Sequence, residues 1–325
     1  MRAVVHHTFA EPETVLVVEQ RPMPEPGEGE VRIRTVLSPI HQHDLWTVRG
    51  TYGFKPELPA ASGTEALGVV DTLGPGVEGL EVGQRVVSSA TFGVWAEYVI
   101  APAAGLLPVP DGVPDEAAAQ LVAMPFSAIS LLHSLDLPAG SWLVQNAANG
   151  AVGRIVAQLA AARGLHVVGL VRRSAAVAEL AEQGIEGIVA TDAEDWREQV
   201  AALTGGAPLV AGVDSLGGRA SGEVLSVLAD DATLVAFGAM NSPVMEIGSG
   251  DLIFKQATVK GFWGARVSRE LEPAVRAALL RELVERVAAG ELTLPVAAVH
   301  PFEEVADAVR ATQQPGRVGK VLLRP

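Results

Sequence analysis

The chain has no cysteine among its 325 residues. That absence excludes disulfides, thiolate nucleophiles and every zinc site that uses a cysteine, and it suits a reducing cytoplasm, the expected location. Lysine is nearly as scarce, with only Lys55, Lys255, Lys260 and Lys320. With 24 Lys and Arg against 38 Asp and Glu, the formal net charge is −14. No nucleic-acid partner is expected, because phosphate affinity comes from an excess of basic side chains. Any basic site must be local and built mostly of arginine. Tyrosine occurs only at Tyr52 and Tyr98, so a phenolic proton donor has few candidates. No apolar run reaches the roughly 20 residues that a membrane helix needs. The most apolar long stretch, 117–132, is broken by Gln120, Pro125, Ser127 and Ser130, and reads as buried helix or strand. The opening Met1-Arg2-Ala3-Val4-Val5 reads as a strand and lacks the long apolar core of a signal peptide. No membrane partner is expected.

What is present is apolar bulk, 49% of residues, with 34 glycines and 21 prolines spread along the chain as punctuation between short packed elements. Up to about residue 120 the pattern is β-rich. Short runs at 30–36, 66–73, 84–87 and 96–100 are separated by turn chemistry such as Gly74-Pro75-Gly76. Tyr98 falls in such an alternation and reads as core. From Ser141 the rhythm becomes strand–helix–strand. Apolar runs at 141–146, 165–171, 187–190, 209–213 and 233–237 alternate with helical spacings such as Val152, Ile155, Val156, Leu159 and Ala160. Alternation of this kind implies a doubly wound parallel sheet with helices on both faces. Near the end, Ser268 is the expected cap of a helix burying Val275, Leu279 or Leu280, Leu283 and Val287, stopped by Gly290. A short helix over 302–310 and a last strand over 318–323 close the chain. The expected organisation is a β-rich catalytic domain, 1–121 plus 264–325, interrupted by a dinucleotide-binding domain, 122–263.

The run at 141–146 leads into Ala147-Ala148-Asn149-Gly150-Ala151-Val152-Gly153 and then a helix. This is the G-x-G-x-x-G geometry with alanine at the first glycine position. Gly150 lets the backbone approach a pyrophosphate, and Gly153 lets helix and strand pack closely. Asn149, Gly150, Ala151, Val152 and Gly153 are therefore the candidate pyrophosphate cradle, at a helix start whose free N–H groups favour an anion. The next strand ends in Arg172-Arg173-Ser174, about 20 residues on, where an NAD site usually carries a carboxylate for the ribose. Guanidinium groups there bind a 2′-phosphate instead, which points to NADPH. Ser174 either adds a hydroxyl to that phosphate or caps the next helix.

These residues resemble the medium-chain dehydrogenase/reductase superfamily over essentially the whole chain. Further carriers are Gly63-Thr64-Glu65, Gly83-Gln84-Arg85-Val86-Val87, Trp95-Ala96-Glu97-Tyr98 and the closing Gly316-Arg317-Val318-Gly319-Lys320-Val321. The resemblance implies a GroES-like β-rich domain holding a Rossmann domain, and a homodimer formed through the latter. Zinc enzymes of the superfamily take their catalytic ligands at positions that fall on His41, Thr64 and the neighbourhood of Ala123, so no metal is expected. Within the zinc-free branch, Trp142 to Gly153, Asp251 to Trp263 and Gly50 to Ala60 resemble 2-enoyl thioester reductases and the neighbouring quinone oxidoreductases. That resemblance places a catalytic tyrosine on Tyr52, and Phe262 and Trp263 beside the nicotinamide. Two departures stand near the expected active site: His41-Gln42-His43-Asp44 where the group has Asn-Pro-Ser-Asp, and Val267 where it often has tryptophan.

Reducing an activated double bond needs hydride at one carbon, stabilisation of the enolate, and a proton at the other carbon. A cofactor supplies the hydride, and the protein supplies position and a proton route. Tyr52 carries a phenol, protonated at neutral pH and able to donate toward developing negative charge, or simply a ring packed across a turn. Lys320 and Arg317 either touch cofactor phosphate or sit on the surface. His41 and His43 relay protons, or bond the cofactor ribose or a loop carbonyl. Asp44 is expected to close a turn, and Glu65 to be buried with a partner. The expected activity is NADPH-dependent reduction of an enoyl thioester or other unsaturated carbonyl. A quinone reductase and a non-catalytic NADPH-binding protein are the alternatives.

Overall fold

The computed structural model describes residues 1–88 and 91–325. The chain divides into two compact units, one formed by Met1–Ala123 with Leu280–Pro325 and the other by Met124–Leu279.

In the β-rich unit, the ten-residue strand Glu30–Pro39 is the spine. It pairs antiparallel with Ala66–Leu73 on one side and with Tyr98–Pro102 on the other. Its far end also pairs with the closing strand Lys320–Arg324, Leu322 opposite Pro39 and Leu323 opposite Ser38. Alternate residues Val31 and Ile33 point inward, and with Leu45, Trp95, Phe302 and Leu323 they build one apolar core. Burying a large apolar side chain contributes about 1.5–3 kcal/mol, so this core fixes where the spine ends and where the closing strand meets it. That junction carries the polar residues described below. Tyr98 is half-buried rather than core, with the guanidinium of Arg32 5.9 Å from its ring centroid. An amphipathic phenol on this strand can cover the sheet and still reach water.

The second unit holds a six-stranded sheet whose pairs are all parallel, in the order Ile188–Ala190, His166–Val171, Trp142–Gln145, Leu209–Asp214, Thr233–Ala236, Thr258–Gly261. The first strand in sequence, Trp142–Gln145, is therefore central and flanked by the second and fourth. Strand order reverses there, and such a switch point is where open parallel sheets bind ligands, at the carboxyl ends of the strands. Val144, Val168 and Leu234 are fully buried, as expected of strands covered on both faces.

The expectation that Ser268 caps one long helix is corrected. Ser268 lies inside a separate helix, Gly264–Glu270, and the longer one runs Pro273–Ala288. Pro273 opens it because proline fits the first turn, where its missing N–H has no partner to lose. Leu279, Leu283 and Val287 are its buried residues, so Leu279 rather than Leu280 faces inward.

Candidate active site

In the parallel-sheet unit the strand Trp142–Gln145 runs through Asn146–Gly150 into the helix Ala151–Ala162. Ala147 adopts a left-handed conformation, φ 50°, which turns the chain sharply. Gly153 is required by space, because a Cβ there would lie 2.7 Å from the Ala147 carbonyl oxygen and 2.8 Å from Ala148 Cα. At Gly150 a Cβ would come within 3.1 Å of the same oxygen. The turn is pinned from beneath. Asn146 Nδ2 donates to Asp214 Oδ1 at 2.6 Å, and its Oδ1 accepts from the Ser215 N–H at 2.7 Å. Gln145 donates to the Gly153 carbonyl at 2.7 Å, and Arg154 Nε to the Asn149 carbonyl at 2.9 Å. Asp214, wholly buried, also accepts from Leu216, Gly217 and Ser221. Asn146, Arg154 and Asp214 were missed from the sequence. Asn146 stands directly before the turn and could have been suspected, but Asp214 lies on another strand with no local signal. With its glycines packed so tightly and its helix start facing the carboxyl edge of the sheet, the turn fits a dinucleotide pyrophosphate.

Arg172, Arg173 and Ser174 follow His166–Val171 at the same carboxyl edge and are exposed. The arginines are not an isolated positive patch, since Glu179 lies 3.6 Å from Arg173 Nη2. Ser174 does not take the capping role expected as one alternative. It makes no side-chain cap to the helix Ala175–Ala181, and its hydroxyl donates to Asp192 Oδ1 at 2.6 Å. Phe262, directly after the last strand of the sheet, stacks on Phe237 with centroids 5.5 Å apart and planes 17° apart. Trp263, next in the chain, is 48% exposed.

In the β-rich unit a second constellation forms where the spine strand enters the helix Gln42–Arg49. Asp44 closes the turn, its Oδ2 accepting the His41 N–H at 2.8 Å, while Thr64 donates to its Oδ1 at 2.8 Å. Thr64 has thereby spent its one proton, so at 2.7 Å it must accept from His43 Nε2. The His43 ring stacks on His41, centroids 5.0 Å apart, and tilts against Tyr52 at 5.7 Å. Below them His41, fully buried, stands between a cation and an anion. Lys320 Nζ lies 3.0 Å from His41 Nδ1, and His41 Nε2 lies 2.8 Å from Glu65 Oε2. An ammonium only donates, so His41 accepts at Nδ1 and donates from Nε2. The other oxygen of Glu65 accepts the Val122 and Ala123 N–H groups at 2.6 and 2.9 Å.

Burial dominates the protonation of all three. It holds the His41 imidazolium well below its ordinary range, with the Lys320 charge adding to the effect. Burial also pushes Glu65 up to about 7, against the backbone N–H groups of Ala123 and Val122, and pushes Lys320 down to about 8. Lys320, for which a surface position was one expectation, is instead buried in the β-rich unit with its ammonium on His41. These residues do not fit a divalent metal. Both nitrogens of His41 are engaged, one by a cation that repels another, Thr64 is committed to Asp44, and Ala123 offers a methyl group. Among the described residues no group of three or more His, Cys, Asp or Glu side chains could hold a metal ion.

The sequence pattern of the family described as zinc-binding dehydrogenase matches residues 151–280, and that of the alcohol dehydrogenase GroES-like domain matches 27–111. The mitochondrial enoyl-[acyl-carrier-protein] reductase of Homo sapiens is 29% identical over 99% of this chain and 88% of its own length. The Arabidopsis thaliana enzyme of the same name is 30% identical over 81% of this chain and 72% of its own. Two solved mycobacterial structures, each 28% identical with full coverage of both chains, align with TM-scores of 0.88 and 0.83. The first is a complex with NADPH and the second is named a quinone oxidoreductase. A GroES-like domain, a parallel sheet with its glycine turn, and a relative this similar over this length together establish that the chain belongs to the medium-chain dehydrogenase/reductase superfamily.

Proposed function

We propose that the chain is an NADPH-dependent oxidoreductase that reduces an activated C=C bond, best an enoyl thioester or another α,β-unsaturated carbonyl. The observation that carries this reading is the tight Ala147–Gly153 turn at the switch point of the parallel sheet, followed at the same edge by Arg172 and Arg173. The relatives named enoyl reductase and the mycobacterial NADPH complex support it. Bound NADPH supplies the hydride. Backbone N–H groups at the helix start, over Ala151, Val152 and Gly153, would hold the pyrophosphate. Asn149 and Gly150 shape the turn, the Gly150 N–H donating to the Ala147 carbonyl at 2.8 Å. The two guanidinium groups with Ser174 would meet the 2′-phosphate. Phe262 and Trp263 flank the nicotinamide and exclude water. Tyr52 donates a hydrogen bond toward the charge that develops on the substrate carbonyl oxygen.

A second reading, quinone reduction, is favoured by the 28% identity to the mycobacterial quinone oxidoreductase. No helix among the described residues is long and apolar enough to cross a membrane. We place the chain in the cytoplasm, a reading supported by its lack of cysteine. We also propose a homodimer through the parallel-sheet unit. There the edge strand Thr258–Gly261 is exposed along its length, and Ile253 and Phe254 are 59% and 84% exposed. An unpaired edge beside exposed apolar side chains is a template for a second copy.

The test is anaerobic NADPH consumption with crotonyl-CoA, an unsaturated ketone and a simple quinone at matched concentrations. Preferred turnover of the first two supports the enoyl reading, and turnover of the quinone alone replaces it with the second. No turnover of any of them overturns both.

A further inference from the structure

Asp192 lies two residues beyond the strand Ile188–Ala190, whose neighbour in the sheet is His166–Val171, with Ala190 opposite Val171. The pairing brings Asp192 alongside Arg172-Arg173-Ser174 at the carboxyl edge of the sheet. Its two oxygens are both engaged by one residue. Oδ1 accepts the Ser174 hydroxyl at 2.6 Å and Oδ2 accepts the Ser174 backbone N–H at 3.1 Å. Those bonds, the hydroxyl first, hold the carboxyl below its ordinary range, so it is an anion at neutral pH.

The arrangement copies what a phosphate does. A 2′-phosphate bound here takes hydroxyl and backbone N–H donors beside two arginines, and Asp192 already takes the first two. Arg173 meets two negative charges, since Glu179 lies 3.6 Å from its Nη2 and its own charge acts on the Asp192 carboxyl. The 2′-phosphate of NADPH must therefore compete with a fixed like charge for Ser174. The 2′-hydroxyl of NADH meets no such competition and finds in Asp192 a carboxylate acceptor of the kind NAD sites carry, supplied here from beyond the third strand rather than the second.

We propose that Asp192 is a specificity-determining residue of the cofactor site: an internal anion in the 2′-phosphate's place that holds down the preference for NADPH and lets NADH serve as well. The inference rests on the cofactor reading above, and its test separates the two.

The probes are 2′,5′-ADP and 5′-AMP, which differ only in the phosphate, titrated calorimetrically into the full chain. Asp192→Asn keeps the shape and an acceptor for Ser174 but removes the charge. It should raise the ratio of 2′,5′-ADP to 5′-AMP affinity by up to about tenfold. The gain should shrink at high salt, because the residue is exposed and its charge is screened. A purely structural role for Asp192 would not respond to salt in this way. Glu179→Gln, which touches Arg173 but not Ser174, should change the ratio by less. A ratio that is unchanged or lower in Asp192→Asn, or no binding of either probe, overturns the proposal. The NADPH reading fails separately, if Arg172→Ala and Arg173→Ala leave 2′,5′-ADP affinity as it was.

Discussion

Lys320 Nζ lies 3.0 Å from His41 Nδ1 across 279 residues of sequence, so the closing strand delivers an ammonium to a buried imidazole. The chain sets a covalently tethered cation beside this buried histidine. The ammonium, imidazole and carboxylate satisfy one another, with Glu65 taking three N–H donors in all.

Lys320→Met removes the cation and leaves Glu65 buried with no positive partner beyond what His41 can provide by taking a proton. Breaking a buried pair in this way costs about 3–5 kcal/mol. Recharging of His41 or protonation of Glu65, whose pKa already stands at about 7, returns much of that. A loss of about 1–2 kcal/mol is therefore expected, read as a lower urea midpoint for the β-rich unit. An unchanged midpoint would show that the ammonium is not held where the structure places it.

The same trio gives a pH signature. Glu65 has its folded pKa raised from 4.5 to about 7, so its contribution to stability is full below 4.5 and is lost as pH rises through about 7. Lys320 has its folded pKa lowered from 10.5 to about 8, so its contribution is full above 10.5 and is lost as pH falls through about 8. Both losses overlap between pH 7 and 8. Relative to the double variant Glu65→Gln/Lys320→Met, the wild type should have its lowest melting temperature in that window and gain on either side. A flat difference curve from pH 5 to 10 would refute the assignment.

The sequence made visible what is local. The strand Ala66–Leu73 is bounded on both sides by turn chemistry, and the glycine turn is a contiguous motif whose residues act on one another. Both were legible. The end of the chain was misread because Ser268 and Pro273 are both valid helix starts, and only packing decides that a separate turn of helix comes first. The His41–Glu65–Lys320 contact was not legible, since its partners are brought together by strand pairing at Leu322–Pro39 and Leu323–Ser38 rather than by spacing. Asp192 was hidden in the same way. Two adjacent arginines read as a phosphate site until the neighbouring strand supplies a carboxylate, 18 residues beyond Ser174.

Gly153→Ala tests the cradle. The added methyl would meet backbone atoms at 2.7 and 2.8 Å, which cannot rotate away, so the helix Ala151–Ala162 must shift from its strand. We expect a loss of about 2 kcal/mol and a rise of at least about tenfold, or 1.4 kcal/mol, in the Kd for NADPH by fluorescence titration. Gly112→Ala is the internal control. Nothing lies within 4 Å of its added Cβ and its φ is not left-handed, so stability should stay within about 0.5 kcal/mol.

Phe254→Glu addresses assembly. Phe254 is 84% exposed on the helix Ser249–Phe254, in the unit that carries the edge strand Thr258–Gly261. A charge there should cost an isologous interface twice, once in each copy, and shift light-scattering mass from dimer toward monomer at micromolar concentration. A wild-type protein already monomeric at high concentration would remove the dimer reading.

Tyr52→Phe separates the two reductase readings. Removing the hydroxyl leaves the ring against His43, where the centroids are 5.7 Å apart, so the local packing should persist. If the phenol stabilises charge on the carbonyl oxygen of an enoyl substrate, the loss of one such donor lowers kcat by about 10²–10³ with little change in KM. The anion formed from a quinone is aromatic and a far weaker base than an enolate, so it depends less on such a hydrogen bond and its reduction should fall by much less. Equal loss on both substrates would mean that Tyr52 shapes the pocket rather than donating. No loss on either would return Tyr52 to a packing role and leave His43, whose Nε2 is committed to Thr64, as the next group to replace.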